Sequence, residues 1–106
     1  MIVEFEDEAL AEIENAISYS EGRFGTGERL SREIQSSILR IAEDPFRFRK
    51  NHLGVCIHHL PPFPFYLVFE PRKDERIIRI YALGNTSRRP DYWKSRIPPS
   101  SLSFEI

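Results

Sequence analysis

Before Asp44-Pro45 the apolar residues of this chain recur at helical spacing, and after it they do not. Leu30, Ile34, Ile38 and Ile41 lie four, four and three residues apart, which is one face of a 3.6-residue repeat. Proline ends that series, because its ring and missing N–H interrupt a helix. Beyond it three runs, Val55 to Leu60, Phe65 to Phe69 and Arg76 to Leu83, are rich in β-branched and aromatic residues and read as strands. A helical stripe and a set of strands in one short chain must bury their apolar faces against each other, so the switch of period dictates an α+β fold.

The remaining elements follow in order. Met1 to Phe5 is short and made of β-formers, a strand that starts the fold. From about Asp7, Leu10, Ile13, Ala16 and Ile17 recur at helical spacing, and the acids of the first turn suit the positive end of the helix dipole. This helix is expected to stop near Glu21-Gly22; Gly22, Gly25 and Gly27 suit a flexible connection, lack the strand-then-helix context of a phosphate-binding loop, and read as a helix-to-helix turn, so the two helices make an antiparallel hairpin. PPFP and PRKDE supply the turns of a three-stranded antiparallel meander. In its last strand Ile78 and Ile80 alternate with Arg79 and Tyr81, predicting one core face and one wet face. The expected order is therefore strand, helical hairpin, meander, with the helices on one side of the sheet.

At 106 residues the chain has the length of one domain, expected over residues 1–96. IPPSSLSFEI, 97–106, reads as a mobile or surface-bound tail in which Leu102, Phe104 and Ile106 are packing candidates. No apolar run approaches the length of a membrane span, and the acidic N-terminus lacks the pattern of a signal peptide. A cytoplasmic protein with no membrane contact is expected. Cys56 is the single cysteine, without a partner for a disulfide or a metal site, and reads as a small buried residue of a strand.

Charge is unevenly distributed. Residues 1–21 carry seven acids and no Lys or Arg, whereas the remainder holds all 15 bases against nine acids. The overall charge of −1 gives feeble steering toward a phosphate surface. Two local clusters can still meet nucleic acid. One is the loop FRFRKNH, with Arg47, Arg49, Lys50 and His52. The other is NTSRRPDYW, Asn85 to Trp93, with Lys94 beside it.

In the second cluster Arg88 and Arg89 can fork onto phosphate oxygens while Tyr92 or Trp93 stacks on a base. A tyrosine beside two arginines also suits acid–base chemistry at a phosphodiester, the arginines stabilising the charge that develops. The competing structural role has Trp93 plugging the end of the sheet, Pro90 fixing the exit, and the arginines pairing with acids of the first helix. His58 and His59 are adjacent in a strand and so face opposite ways. No histidine spacing supports a metal, and His52 is the better functional candidate of the three.

A short strand, a helical hairpin, FPFYLVF at a strand start and a final strand running into RRPDYW resemble the RelE/ParE superfamily of toxins from bacterial type II toxin–antitoxin systems, over roughly Ile2 to Arg96. The resemblance implies a βααβββ toxin that arrests growth until a cognate antitoxin wraps it, the pair binding operator DNA through the antitoxin. It implies no cofactor and no metal. A ParE-like member poisons DNA gyrase. A RelE-like member is an endoribonuclease that cuts messenger RNA on the ribosome, for which Arg88 or Arg89 would hold phosphate and Tyr92 would supply the hydroxyl. Many relatives carry histidine where this chain has Asn85, and asparagine does not titrate near neutral pH. That departure and the pI near 6.3 favour the ParE-like activity. The remaining alternative is an interaction module that keeps the fold without toxicity.

Overall fold

The structure, a computed structural model, describes residues 1–98; the expectations placed on Leu102, Phe104 and Ile106 lie outside the described residues. Strand β1 (Ile2–Phe5) leads into helix α1 (Asp7–Phe24) and helix α2 (Gly27–Glu43), and then come β2 (Cys56–His59), β3 (Phe65–Arg72) and β4 (Ile77–Asn85). Among the described residues the sheet has the order β1-β4-β3-β2. β2, β3 and β4 form the antiparallel meander, and β1 lies parallel to β4, with Ile2 opposite Ile77 and Phe5 opposite Ile80.

Helix α1 runs three residues past the expected stop. Gly22 is carried inside it, and the helix ends where Gly25 adopts φ 67°, a left-handed conformation that costs glycine little, its N–H bonded back to the carbonyl of Glu21 at 3.0 Å. Only Gly25 and Thr26 separate the helices, so the glycine-rich stretch is the short helix-to-helix turn expected from the sequence. Helix α2 buries Leu30, Ile34 and Ile41 as its spacing predicts, each worth about 1.5–3 kcal/mol of transfer energy. The stripe on α1 is rotated from the expected one. Ala9 and Ala16 are buried, Ile13 and Ile17 pack beside them, and Leu10 sits at the margin, 44% exposed.

Both faces of the sheet are covered. The helices lie over Leu67, Phe69, Ile78, Ile80 and Leu83, while a second cluster of Val55, Tyr66, Val68, Tyr81, Ala82 and Trp93 fills the opposite face. The expectation of a wet face opposite Ile78 and Ile80 therefore fails at Tyr81, which is fully buried. The segment after β4 folds back over that face, and Trp93 and Ile97 shield it from water.

The alternation also breaks. Phe69 lies opposite Ile80 but Val68 lies opposite Ala82, so Tyr81 is an extra residue, a β-bulge in β4. Beyond the bulge the phase of the strand is reversed. Leu83 turns to the helices, and Gly84 turns to the other face, where a side chain would run into the ring of Tyr66. The bulge thereby sets which residues β4 presents at its C-terminal end.

Candidate functional site

β1 stops early, and the site grows from that fact. Its last backbone bond to β4 is Glu6 N–H to the Ile80 carbonyl, 2.9 Å. Past this point, among the described residues, β4 has no neighbouring strand on this side, and its polar groups need other partners. Side chains provide them. Glu12 of α1 accepts from the Leu83 N–H at 3.2 Å, Arg96 donates to the Tyr81 carbonyl at 3.1 Å, and the Tyr92 hydroxyl lies 3.4 Å from the Leu83 carbonyl.

The same three side chains bind one another. Arg96 forks onto both carboxylate oxygens of Glu12, Nη1 to Oε1 at 2.8 Å and Nη2 to Oε2 at 3.0 Å, with both side chains largely buried. Tyr92 donates to Glu12 Oε2 at 3.2 Å. Burial and the adjacent carboxylate raise the Tyr92 pKa above the usual phenol value, so the hydroxyl stays protonated at neutral pH and acts as a donor. The hydrogen bonds to Glu12 outweigh the effect of burial at Arg96 and raise its pKa further.

Arg88 lies over the ring of Tyr92, 3.8 Å from its centroid, a cation–π contact that fixes an exposed guanidinium on a half-buried ring. Beneath it opens a hollow of about 240 Å³ between α1 and the end of β4, with Ala16, Phe65 and Leu83 among the residues of its wall and Glu12, Asn85 and Arg88 among its polar groups. Asn85 reaches this side because of the bulge. Its side-chain oxygen accepts from the N–H and hydroxyl of Ser87 at 2.9 and 2.7 Å, an Asx turn that shapes the exit from β4.

The predicted site residues are thus divided. Arg88 and Tyr92 meet at the hollow. Arg89 and Lys94 are exposed on the segment beyond β4. Trp93 is buried on the sheet face opposite the helices, its indole N–H donating to the Tyr66 hydroxyl at 3.0 Å, so it covers a face and does not plug an end. The arginine that pairs with the first helix is Arg96, whereas Arg88 sits on Tyr92. The basic loop lies elsewhere: Lys50 reaches Glu70 at 3.7 Å and Arg47 stacks on Phe48 at 4.8 Å. Glu70 is near the β3–β4 turn, at the other end of the sheet from Asn85. Arg49 and His52 are exposed on that loop.

Internal pairing engages several bases of the C-terminal half. Arg72 binds Glu75 at 2.9 Å, Arg79 binds Glu6 at 3.0 Å and Glu4 at 3.4 Å, and Arg96 binds Glu12. The acidic start and basic remainder of the sequence are folded onto each other. His58 meets Phe48 edge-on at 5.9 Å and His59 lies 5.5 Å from Tyr66, on opposite faces as expected. Among the described residues no group of His, Cys, Asp and Glu is placed to hold a metal ion, and no helix is long and apolar enough to cross a membrane.

Sequence reasoning passed over Glu12 and Arg96. Glu12 is one of seven acids in the first 21 residues, and nothing local separates it from the others; its partner lies 84 residues away.

Residues 3–90 match the family model described as the ParE toxin of type II toxin-antitoxin system, parDE. Among solved structures, a chain of the chromosomal ParDE TA system from P. aeruginosa is similar, with a TM-score of 0.68 and 14% identity over 80% of this chain and 95% of that one. At that identity the likeness speaks for the fold, and no curated protein matches. The family match takes in the hairpin, the meander, the bulge and both arginines of the RRP motif. The chain belongs to the ParE toxin family of type II toxin–antitoxin systems.

Proposed function

We propose that this chain arrests bacterial growth from the cytoplasm by acting on DNA gyrase, that a cognate antitoxin neutralises it, and that it meets operator DNA only through that antitoxin. Family membership supports the toxin and its antitoxin. The observation that favours gyrase over RNA cleavage is the state of Tyr92. Its hydroxyl donates to Glu12, and burial with that carboxylate raises its pKa, so it cannot take a proton at neutral pH. Glu12 is itself held by Arg96, and Asn85 is engaged in its own turn. The hollow thus offers Arg88 for binding, while the Tyr92 hydroxyl and the Glu12 carboxylate are already committed to each other and to Arg96.

The RelE-like reading keeps one point in its favour, the exposed pair Arg88 and Arg89 beside an aromatic ring. Pulse-labelling in the first minutes after induction separates the two. Under gyrase poisoning thymidine incorporation falls first, purified gyrase loses supercoiling activity when the protein is added, and Tyr92→Phe retains toxicity. Amino-acid incorporation falling first, with toxicity lost in Tyr92→Phe while the variant stays folded and soluble, would overturn the proposal in favour of messenger RNA cleavage. Unimpeded growth at good soluble expression would leave the fold without the activity.

A further inference from the structure

The sheet has two outer strands, β1 on one side and β2 on the other. On β2 a single bond fixes which backbone groups face outward. The Leu60 N–H donates to the Phe65 carbonyl at 3.0 Å. In the register that sets Cys56 opposite Phe69, the residues bonded to β3 are therefore Cys56, His58 and Leu60, and the N–H and C=O groups of Ile57 and His59 point away from it. Among the described residues no other backbone group takes them up. This free stretch is closed at both ends. The Val55 carbonyl accepts from the Asn51 N–H at 2.8 Å, the Val55 N–H donates to the Asn51 side chain at 3.3 Å, and Pro61 has no N–H to give.

Such an edge is its own complement. When a second copy lies antiparallel to it about a two-fold axis at His58, Ile57 of each copy meets His59 of the other, and each of these two pairs exchanges two backbone bonds. The ladder stops where Asn51 and Pro61 stop it. Ile57 and His59 lie on the sheet face of Tyr66 and Val68, where a β-branched residue opposite a ring is a favourable pair. On the helix face, beside Phe48, His58 stands opposite its own copy. The other outer strand is guarded against this. Ile2 and Glu6 donate to the Arg76 and Ile80 carbonyls of the β4 side, so Val3 and Phe5 face outward, and the same construction sets Glu4 against Glu4. Like charges directly opposite destabilise a strand pair. β2 has at that place a histidine, whose charge depends on pH.

We propose that the chain forms a two-fold dimer through β2, joining two four-stranded sheets into one, and that His58 at the axis makes the dimer dissociate as pH falls. The groups facing His58 make it hard to charge. Burial and Arg40 of α2 lower its pKa, Glu33 of α2 opposes them, and Arg47 of the basic loop and His59 of its own strand reinforce them. A second His58 about 5 Å away acts in the same direction. The dimer then holds fewer protons than two separate chains, so it is at full strength above about pH 6.5 and weakens as pH drops through the lower value of the folded chain.

Sedimentation velocity of the full chain over a dilution series tests this. At pH 8 a dimer that dissociates on dilution is expected, and at pH 5.5 its dissociation constant should be about tenfold higher or more. His58→Gln should dimerise with little dependence on pH, and His58→Lys should be monomeric at both values. Proline is tolerated on an outer strand where the N–H faces solvent, so His59→Pro should stay folded by circular dichroism and lose the dimer. Ile57→Lys, which leaves the backbone unchanged, should do the same and decides the matter if the proline variant fails to fold. In His58→Cys the two thiols meet at a non-hydrogen-bonded pair, within reach of a disulfide, and mild oxidation should cross-link two chains. A monomer at pH 8 at every concentration, or a dimer that survives in Ile57→Lys, overturns the proposal. Capture of an antitoxin lost in Ile57→Lys, with the wild-type chain monomeric alone, overturns it in favour of that occupant. A wild-type dimer indifferent to pH overturns the role of His58.

Discussion

Arg96 and Glu12 form a bidentate pair whose side chains are 14% and 17% exposed, and each also bonds the backbone of β4. Removing the arginine leaves a carboxylate in a poorly hydrated place, which costs more than the pair contributes as a whole. Arg96→Ala should lose about 2–4 kcal/mol, measured by urea unfolding, whereas Tyr92→Phe should lose about 1 kcal/mol, the net value of a shared hydroxyl bond. His58 behaves differently. Burial lowers its pKa below the usual value, and Arg40 adds to the effect, with Glu33 opposing and Arg47 and His59 reinforcing it. The unfolded chain then takes up the proton first, so the stability tied to His58 is whole above about pH 6.5 and falls as pH drops toward the lower folded value. Melting temperatures between pH 8 and 5.5 should therefore fall less steeply for His58→Gln than for wild type. Cys56 complements this picture. Burial pushes its thiol up to about 11, in keeping with the small buried strand residue expected from the sequence.

At the scale of elements, the helices and strands were legible because each repeats its apolar residues with its own period. The stop of α2 at proline and the three strands of the meander fall within one to three residues of their expected bounds. The bulge was not legible. An inserted residue in an otherwise regular strand leaves no local mark, since Tyr81 suits either face until the register with β3 is known. Its effect is nevertheless large, because it brings Leu83 and Asn85 to the hollow and lays Gly84 under Tyr66. Gly84→Ala should push the Tyr66 ring aside and deprive the Trp93 indole of its acceptor. An overpacking loss of about 1–3 kcal/mol and a red shift of Trp93 fluorescence are expected; unchanged fluorescence would mean that the ring and indole move together.

The whole molecule is closed by contacts between distant parts of the sequence. β1 meets β4, and the segment after β4 covers the second face and the open edge together. That closure could not be read in advance, for RRPDYW looks equally suited to binding phosphate and to packing. The structure divides it: Arg88 and Arg89 face outward, while Tyr92 and Trp93 hold the segment in place. The family match ends at residue 90, so a chain cut after Pro90 tests the division. It should lose the burial of Trp93, about 3–5 kcal/mol by the cost of truncating such a side chain, together with the Arg96 pair. Out of a typical total of about 5–15 kcal/mol, that loss should abolish cooperative thermal unfolding.

The early stop of β1 also orders events in time. Synthesis adds residues one after another, at about 5–20 per second. Glu12 and Phe5 are therefore made long before the partners that complete them, Ile80, Tyr92 and Arg96. A nascent chain that has reached the hairpin has neither a finished sheet nor an arginine perched on Tyr92. The hollow beside Arg88 comes into being only with the last contacts, which leaves an antitoxin made alongside the chain an interval in which to be waiting.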